Sequence, residues 1–226
     1  MFQKIVTSAL FAGFCAGLIA ALLQLVFVQP VLLQAELYES GKLVHFGAEA
    51  VAALPVVGGI DVMRDGLSIL FTIFAYTGYA LILVALMSTA SERGITINAR
   101  KGLMWGLCGF FAAQLAPAFS LPPEVPGVAA ADVAQRQVWW FATVAAAVIA
   151  LGLIAFGKSR VAWAGAVVLL IAPHLIGAPQ PDSFTGPAPP EVAALFASRA
   201  LGIGLVAWAL VGLFSGYFWQ RYSADT

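Results

Sequence analysis

The sequence predicts an all-α fold, a polytopic bundle of about six transmembrane helices with long proline-rich outer loops, in a single domain over residues 1–226. Hydrophobic residues make up 62% of the chain and charged residues only 10%, whereas a soluble domain carries about 45–50% and about 25%. Apolar stretches of about 20 residues recur, and each is long enough to cross a bilayer. This composition excludes a soluble globule and a disordered chain.

The predicted spans follow these apolar stretches in order. The first is longer than the roughly 7–15-residue core of a signal peptide, and no convincing small-residue cleavage site follows it, so we interpret it as a retained helix. The fifth is short but uncharged. The six predicted spans are Ile5–Val28, Leu67–Ala90, Gly102–Phe119, Val138–Phe156, Val161–Ile176 and Leu195–Trp219.

The distribution of charge predicts that both termini are cytoplasmic. With this orientation, seven of the 11 Lys and Arg residues lie on the cytoplasmic side, as the positive-inside rule expects. Nine of the 11 acidic residues then lie outside, either as a cation-attracting vestibule or because the outer loops are long and solvated. We expect these loops to pack over one shared mouth. They are Gln29–Gly66, Ala118–Gln137 and Gly177–Pro190.

Two short patterns carry less information about function. Gly152–Ser159 matches the phosphate-binding pattern G-x-x-x-x-G-K-[ST], but it ends an apolar helix instead of following a strand, so we interpret it as accidental. We therefore predict no ATP hydrolysis by this chain. No nucleophile–base set and no pair of catalytic carboxylates is visible in the sequence, which argues against any other enzymatic activity. Three Gly-xxx-Gly pairs predict close helix packing, either within the bundle or between subunits of an oligomer. They are Gly13/Gly17, Gly102/Gly106 and Gly212/Gly216.

Polar residues at membrane depth are the strongest candidates for a functional site. Gln24, Gln114, His174 and Arg199 fall at a similar depth toward the outer face, as contacts for a cation or as an interhelical hydrogen-bond network. His174 follows Pro173, which removes a backbone donor and so frees a carbonyl one turn earlier. Imidazole suits cobalt, nickel and zinc better than magnesium or calcium.

A second histidine lies in the longest predicted loop. His45 and Glu49 would share one face of a helix, where they could bind a divalent metal or simply meet solvent. No residue is predicted to be catalytic or to bind a resident cofactor, and the neutral net charge argues against nucleic acid as a partner. The candidate metal contacts are His174, Glu124, Gln114, Gln24, His45 and Glu49.

Several short motifs follow one another in a distinctive order over nearly the whole chain. They are the runs 18–24 (LIAALLQ), 36–39 (ELYE), 121–127 (LPPEVPG), 136–140 (RQVWW) and 173–179 (PHLIGAP). Together these motifs resemble the CbtA family of bacterial membrane proteins. The resemblance implies a proposed cobalt transporter subunit in the inner membrane, with cobalt as cargo for cobalamin synthesis. It also implies a small histidine-bearing membrane partner, CbtB. The family is usually described with about five spans, against the six predicted here.

Two functions are consistent with these observations. The first is a permease subunit for a divalent transition metal, cobalt above all, that is not itself an ATPase. The alternative is a non-transporting membrane partner that assembles or stabilises another membrane complex through its glycine-rich faces. Cobalt uptake measured with and without the CbtB-like partner distinguishes them.

Overall fold

The structure, a computed structural model, describes residues 1–45 and 59–224, and every regular element in these ranges is helical. The all-α prediction is therefore confirmed for this part of the chain. The elements are α1 (Phe2–Phe27), α2 (Gln29–Glu39), α3 (Val62–Glu92), α4 (Ala99–Phe110), a π-helical turn (Phe111–Leu115), α5 (Ala116–Ala118), α6 (Val133–Phe156), α7 (Arg160–Ile176) and α8 (Pro190–Ala224).

Four of these helices, α1, α3, α6 and α8, are long and apolar enough to cross a membrane. They confirm four of the six predicted spans. Helix α7 has 17 residues, which at 1.5 Å per residue gives about 26 Å against a hydrocarbon core of about 30 Å. The predicted span Gly102–Phe119 falls on α4, the π-helical turn and α5. Six spans with both termini cytoplasmic thus remain a prediction.

Helix α2 corrects the prediction that Gln29–Gly66 is a loop from its first residue. Val31, Gln34, Ala35 and Tyr38 are buried along α2, and their spacing of three and four residues places them on one helical face. That pattern is readable in the sequence, but no long apolar stretch accompanies it to indicate a helix. The same loop also ends earlier than predicted, because α3 begins at Val62. Asp61 caps this helix by accepting a hydrogen bond from the Arg64 amide at 2.9 Å.

The chain divides into two compact units, which are described separately. Unit 1 comprises Met1–Gln29, Gly59–Phe110 and Leu201–Thr226. Unit 2 comprises Pro30–Gly58 and Phe111–Ala200.

Glycines set the helix packing of unit 1. A methyl group added at Gly13 or Gly17 would collide with the backbone of Thr77 or Ile73, so α1 and α3 lie in close contact there. The contacts run in opposite directions along the two helices, which are therefore antiparallel. The surrounding core is rich in small residues, with Ala9, Ala12, Ala16 and Ala20 of α1 fully buried.

The other two glycine pairs meet each other in unit 1. A Cβ on Gly102 would overlap the carbonyl oxygen of Gly212, and a Cβ on Gly216 would overlap that of Asn98. Gly106 lies in the same way against Gly212 and the carbonyl of Trp208. These faces are occupied within the chain, so the predicted oligomer through Gly-xxx-Gly faces loses its basis. The sequence could not decide this, because either arrangement needs the same small residues.

In unit 2, parts of all three predicted outer loops pack together. One apolar cluster contains Val31, Ala35 and Tyr38 of α2 with Val125 and Val192. The second and third loops are joined directly, because the Ala129 amide donates to the Thr185 carbonyl at 2.8 Å. These segments of the predicted outer loops are in contact, whereas the shared mouth over which the loops are expected to pack remains a prediction.

Candidate functional site

His174 is the centre of a small polar and aromatic cluster in unit 2. Its Nδ1 lies 2.8 Å from the Oγ of Ser120. Two aromatic rings meet the imidazole edge-on, with centroid distances of 5.0 Å for Phe119 and 6.0 Å for Trp139. The ring is thus held on three sides, with one polar contact.

The end of α7 positions this histidine. Pro173 lies inside the helix, and Gly177 ends it with a φ of 91°, a backbone conformation that favours glycine. The Pro173 carbonyl accepts two hydrogen bonds, from the Gly177 amide at 3.1 Å and from the Trp139 indole Nε1 at 3.3 Å. Trp139 therefore fixes both the turn that carries His174 and one side of its ring.

The hydrogen bond to Ser120 leaves one ring nitrogen for other chemistry. No residue in the described ranges hydrogen-bonds Nε2 of His174. If Nδ1 carries the hydrogen and donates it to Ser120, Nε2 presents a lone pair, which is how metal-binding histidines are oriented by a second partner. The same hydrogen bond is also what a purely structural histidine would make.

Glu124 pairs with Arg136. Its Oε2 accepts a hydrogen bond from Nη2 of Arg136 at 2.7 Å, and both side chains are about a quarter to a third exposed, at 30% and 26%. Arg136 lies in the first turn of α6, which Asp132 caps by accepting from the Gln135 amide at 3.1 Å. The sequence offered Glu124 as a metal contact, and in the structure its carboxylate is committed to an ion pair.

Two contacts of the candidate site originate from one turn of α6. Arg136 holds Glu124 and Trp139 holds His174, and residues three apart on a helix lie on the same face. Neither Ser120 nor Trp139 is among the residues that the sequence predicted as site residues. A tryptophan at a helix end gives no indication of a histidine partner elsewhere in the chain, so only the fold could identify these two residues.

Gln114 lies in the π-helical turn Phe111–Leu115. Pro117 has no N–H to offer the Ala113 carbonyl four residues earlier, and a π-helical pattern offers that carbonyl the amide of residue 118 instead. The Oε1 atom of Gln114 is buried and has no hydrogen-bond partner in the part of the chain that the structure describes. A buried acceptor without a partner costs about 1–3 kcal/mol, so it is a candidate contact for a cation.

Three further residues were predicted as metal contacts: Gln24, His45 and Glu49. Gln24, in unit 1, accepts a hydrogen bond on Oε1 from Thr72 at 3.1 Å, which is the interhelical network proposed as the alternative for it. His45 is half-buried and is the last residue before the undescribed segment, whereas Glu49 lies outside the described residues. Within the described ranges, no group of three or more His, Cys, Asp or Glu residues could hold a metal ion.

The helices and this cluster define the class of protein. A chain with four apolar helices of membrane length is a multi-pass α-helical membrane protein. It belongs to the CbtA family, described as "Probable cobalt transporter subunit (CbtA)", which matches residues 2–220. The resemblance drawn from the sequence motifs is thereby confirmed, and the family suggests a subunit of a cobalt transporter. No curated protein and no solved structure matches the chain significantly.

Proposed function

We propose that this chain is the integral membrane subunit of an uptake system for a divalent transition metal, with cobalt as the cargo, in the inner membrane of a bacterium. The observation that carries the proposal is the family match over residues 2–220, nearly the whole chain. As a subunit, it would work with a small histidine-bearing membrane protein of the CbtB type.

The His174 cluster is the proposed first contact of the metal within the membrane. Nε2 of His174 would bind the ion while Ser120 holds Nδ1 and the Phe119 and Trp139 rings limit ring rotation. Imidazole nitrogen suits cobalt, nickel and zinc. A single imidazole with neutral oxygens binds weakly enough to release its ion, as a transport site must.

The Glu124–Arg136 ion pair reduces the repulsion that a cation would meet in this region. A lone arginine one turn from Trp139 would repel a divalent ion, and the 2.7 Å contact with Glu124 compensates that charge. We therefore assign Glu124 an electrostatic role and not direct coordination.

The membrane potential is the proposed source of energy. A divalent cation moving inward gains about 4.6 kcal/mol at about 100 mV, twice the value for one charge. Such uptake would need no ATP hydrolysis by this chain.

Cobalt accumulation tests the proposal in cells that lack other high-affinity cobalt uptake. Cells would carry the chain alone, the chain with the small histidine-bearing subunit, that subunit alone, or neither. Uptake that requires the chain and collapses when the membrane is depolarised is the expected result. Uptake that the small subunit supports equally well without this chain would favour the alternative, an assembly partner that does not transport.

A further inference from the structure

A cavity of about 710 Å³ in unit 1 has no role in the proposed transport function. It lies where α1 begins and where α3 and α8 end, so three membrane-length helices terminate around it. Helix ends of this kind lie at the level of lipid headgroups. Its lining includes Lys4, Thr7, Ser91, Glu92, Trp219 and Tyr222.

The cavity has a positive and a negative group that do not pair with each other. The Lys4 ammonium lies over the Trp219 ring, 4.4 Å from its centroid, and Lys4 is half-buried. Glu92 is exposed on the wall formed by the end of α3. Among the described residues, ion pairs join Arg64 to Asp65 and Arg136 to Glu124, but none joins Lys4 to Glu92.

The aromatic lining is typical of a cavity at the level of the lipid headgroups. Trp219 is only 4% exposed and forms one wall, and Tyr222 lies one turn further along α8. Tryptophan and tyrosine favour the headgroup region, where an apolar ring body and a polar tip are both satisfied. A ligand here would have an apolar part beside Trp219 and a polar part between Lys4 and Glu92.

We propose that this cavity binds the headgroup of a zwitterionic aminophospholipid, phosphatidylethanolamine. The phosphate oxygens of the lipid would accept hydrogen bonds from the Lys4 ammonium and the Ser91 hydroxyl. The primary ammonium of the lipid would donate a hydrogen bond to the Glu92 carboxylate. An anionic phosphatidylglycerol would satisfy Lys4 and leave Glu92 without a cation. A phosphatidylcholine would bring a quaternary ammonium, which has no N–H to donate to Glu92.

Lipid retention by the purified full chain tests the proposal independently of cobalt. The protein would be equilibrated with phosphatidylethanolamine, phosphatidylglycerol and phosphatidylcholine in detergent, and the bound lipids quantified by native mass spectrometry. We expect phosphatidylethanolamine to be retained preferentially. Equal retention of all three lipids would overturn the proposal.

Two substitutions test which charged residue binds which part of the headgroup. Because each replaces a charge-assisted hydrogen bond by a neutral one of roughly half its strength, Glu92→Gln should lower the preference for phosphatidylethanolamine over phosphatidylglycerol by roughly three- to tenfold, and Lys4→Gln should lower retention of both by a similar factor. Glu36→Gln and Lys101→Gln, exposed and outside the cavity lining, are the matched controls. Lys4→Arg keeps the charge and should keep binding. An unchanged preference in Glu92→Gln would contradict the assignment.

A competition experiment shows whether the cavity recognises the headgroup alone or the whole lipid. Displacement of bound lipid by soluble phosphoethanolamine would show that the headgroup chemistry alone is recognised. Preference for the lipid without displacement would show that the acyl chains beside Trp219 contribute. A wild-type chain that binds neither the lipid nor soluble phosphoethanolamine would exclude the site, whatever the outcome of the cobalt assay.

Discussion

Ser120 and His174 are 54 residues apart in the sequence and are joined by a hydrogen bond of 2.8 Å between Oγ and Nδ1. The bond connects the segment after α5 to the last turn of α7, and it selects which imidazole nitrogen is available to a ligand. A transport site and a structural support would both contain this bond. Substitutions at these two residues separate the two roles.

His174→Ala is expected to reduce cobalt uptake to near background while the protein remains folded and inserted, because it removes the proposed nitrogen ligand. His45→Ala should have a smaller effect, because the loop histidine is not part of the His174 cluster. Uptake of radioactive cobalt, normalised to the amount of protein in the membrane, measures both. Reduced abundance with unchanged uptake per molecule would make His174 a structural residue, and full uptake would remove it from the site.

Ser120→Ala is expected to raise the KM for cobalt uptake about tenfold with a small change in maximal rate, because loss of an orienting partner weakens a metal-binding histidine by about 10–100-fold. Ser120→Thr keeps the hydroxyl and should behave like the wild type. The concentration dependence of uptake in membrane vesicles provides the measurement. A fall in maximal rate at unchanged KM would argue against a positioning role.

Gly212→Ala is expected to destabilise unit 1 by about 1–3 kcal/mol, because the added methyl group overlaps the backbone of α4 at Gly102 and Gly106. Gly202→Ala is the matched control on the same helix. A Cβ at Gly202 meets nothing within 4 Å, and alanine is favoured over glycine in a helix by about 0.5–1 kcal/mol. Thermal unfolding in detergent compares the two variants. Equal melting temperatures would show that α4 and α8 do not pack through these glycines.

Cysteines at positions 129 and 185 are expected to cross-link rapidly, because the Ala129 amide donates to the Thr185 carbonyl at 2.8 Å. The experiment starts from a chain in which Cys15 and Cys108 are replaced by alanine. Gel mobility after mild oxidation, with each single-cysteine variant as a control, reports the bond. Failure to cross-link would contradict the packing of the second and third loops.

Both termini are expected on the cytoplasmic side, because most Lys and Arg residues then face the cytoplasm. A single cysteine at position 226 should react with a membrane-impermeant maleimide only after the membrane is opened. A cysteine at Asp182, in a predicted outer loop, should react in intact cells. Labelling of position 226 from the outside alone would reject this topology.

Composition and run length by themselves determined the membrane class, the all-α fold and the position of four spans, because membrane insertion depends on the summed hydrophobicity of consecutive residues. The short motifs were sufficient to place the chain in its family. Pro173 was readable in the sequence as a helix perturbation, whereas the π-helical turn before Pro117 was not predicted.

Tertiary structure decided which residues meet. The sequence showed three glycine pairs, and only the fold paired Gly102/Gly106 with Gly212/Gly216 within one chain. It offered Glu124 as a ligand, and only the fold gave it Arg136 as a partner. It predicted His174 as a metal contact without indicating its neighbours, and the fold supplied Ser120 and Trp139. Such contacts join segments far apart in the chain, so they depend on how helices pack and not on the periodicity of any one of them.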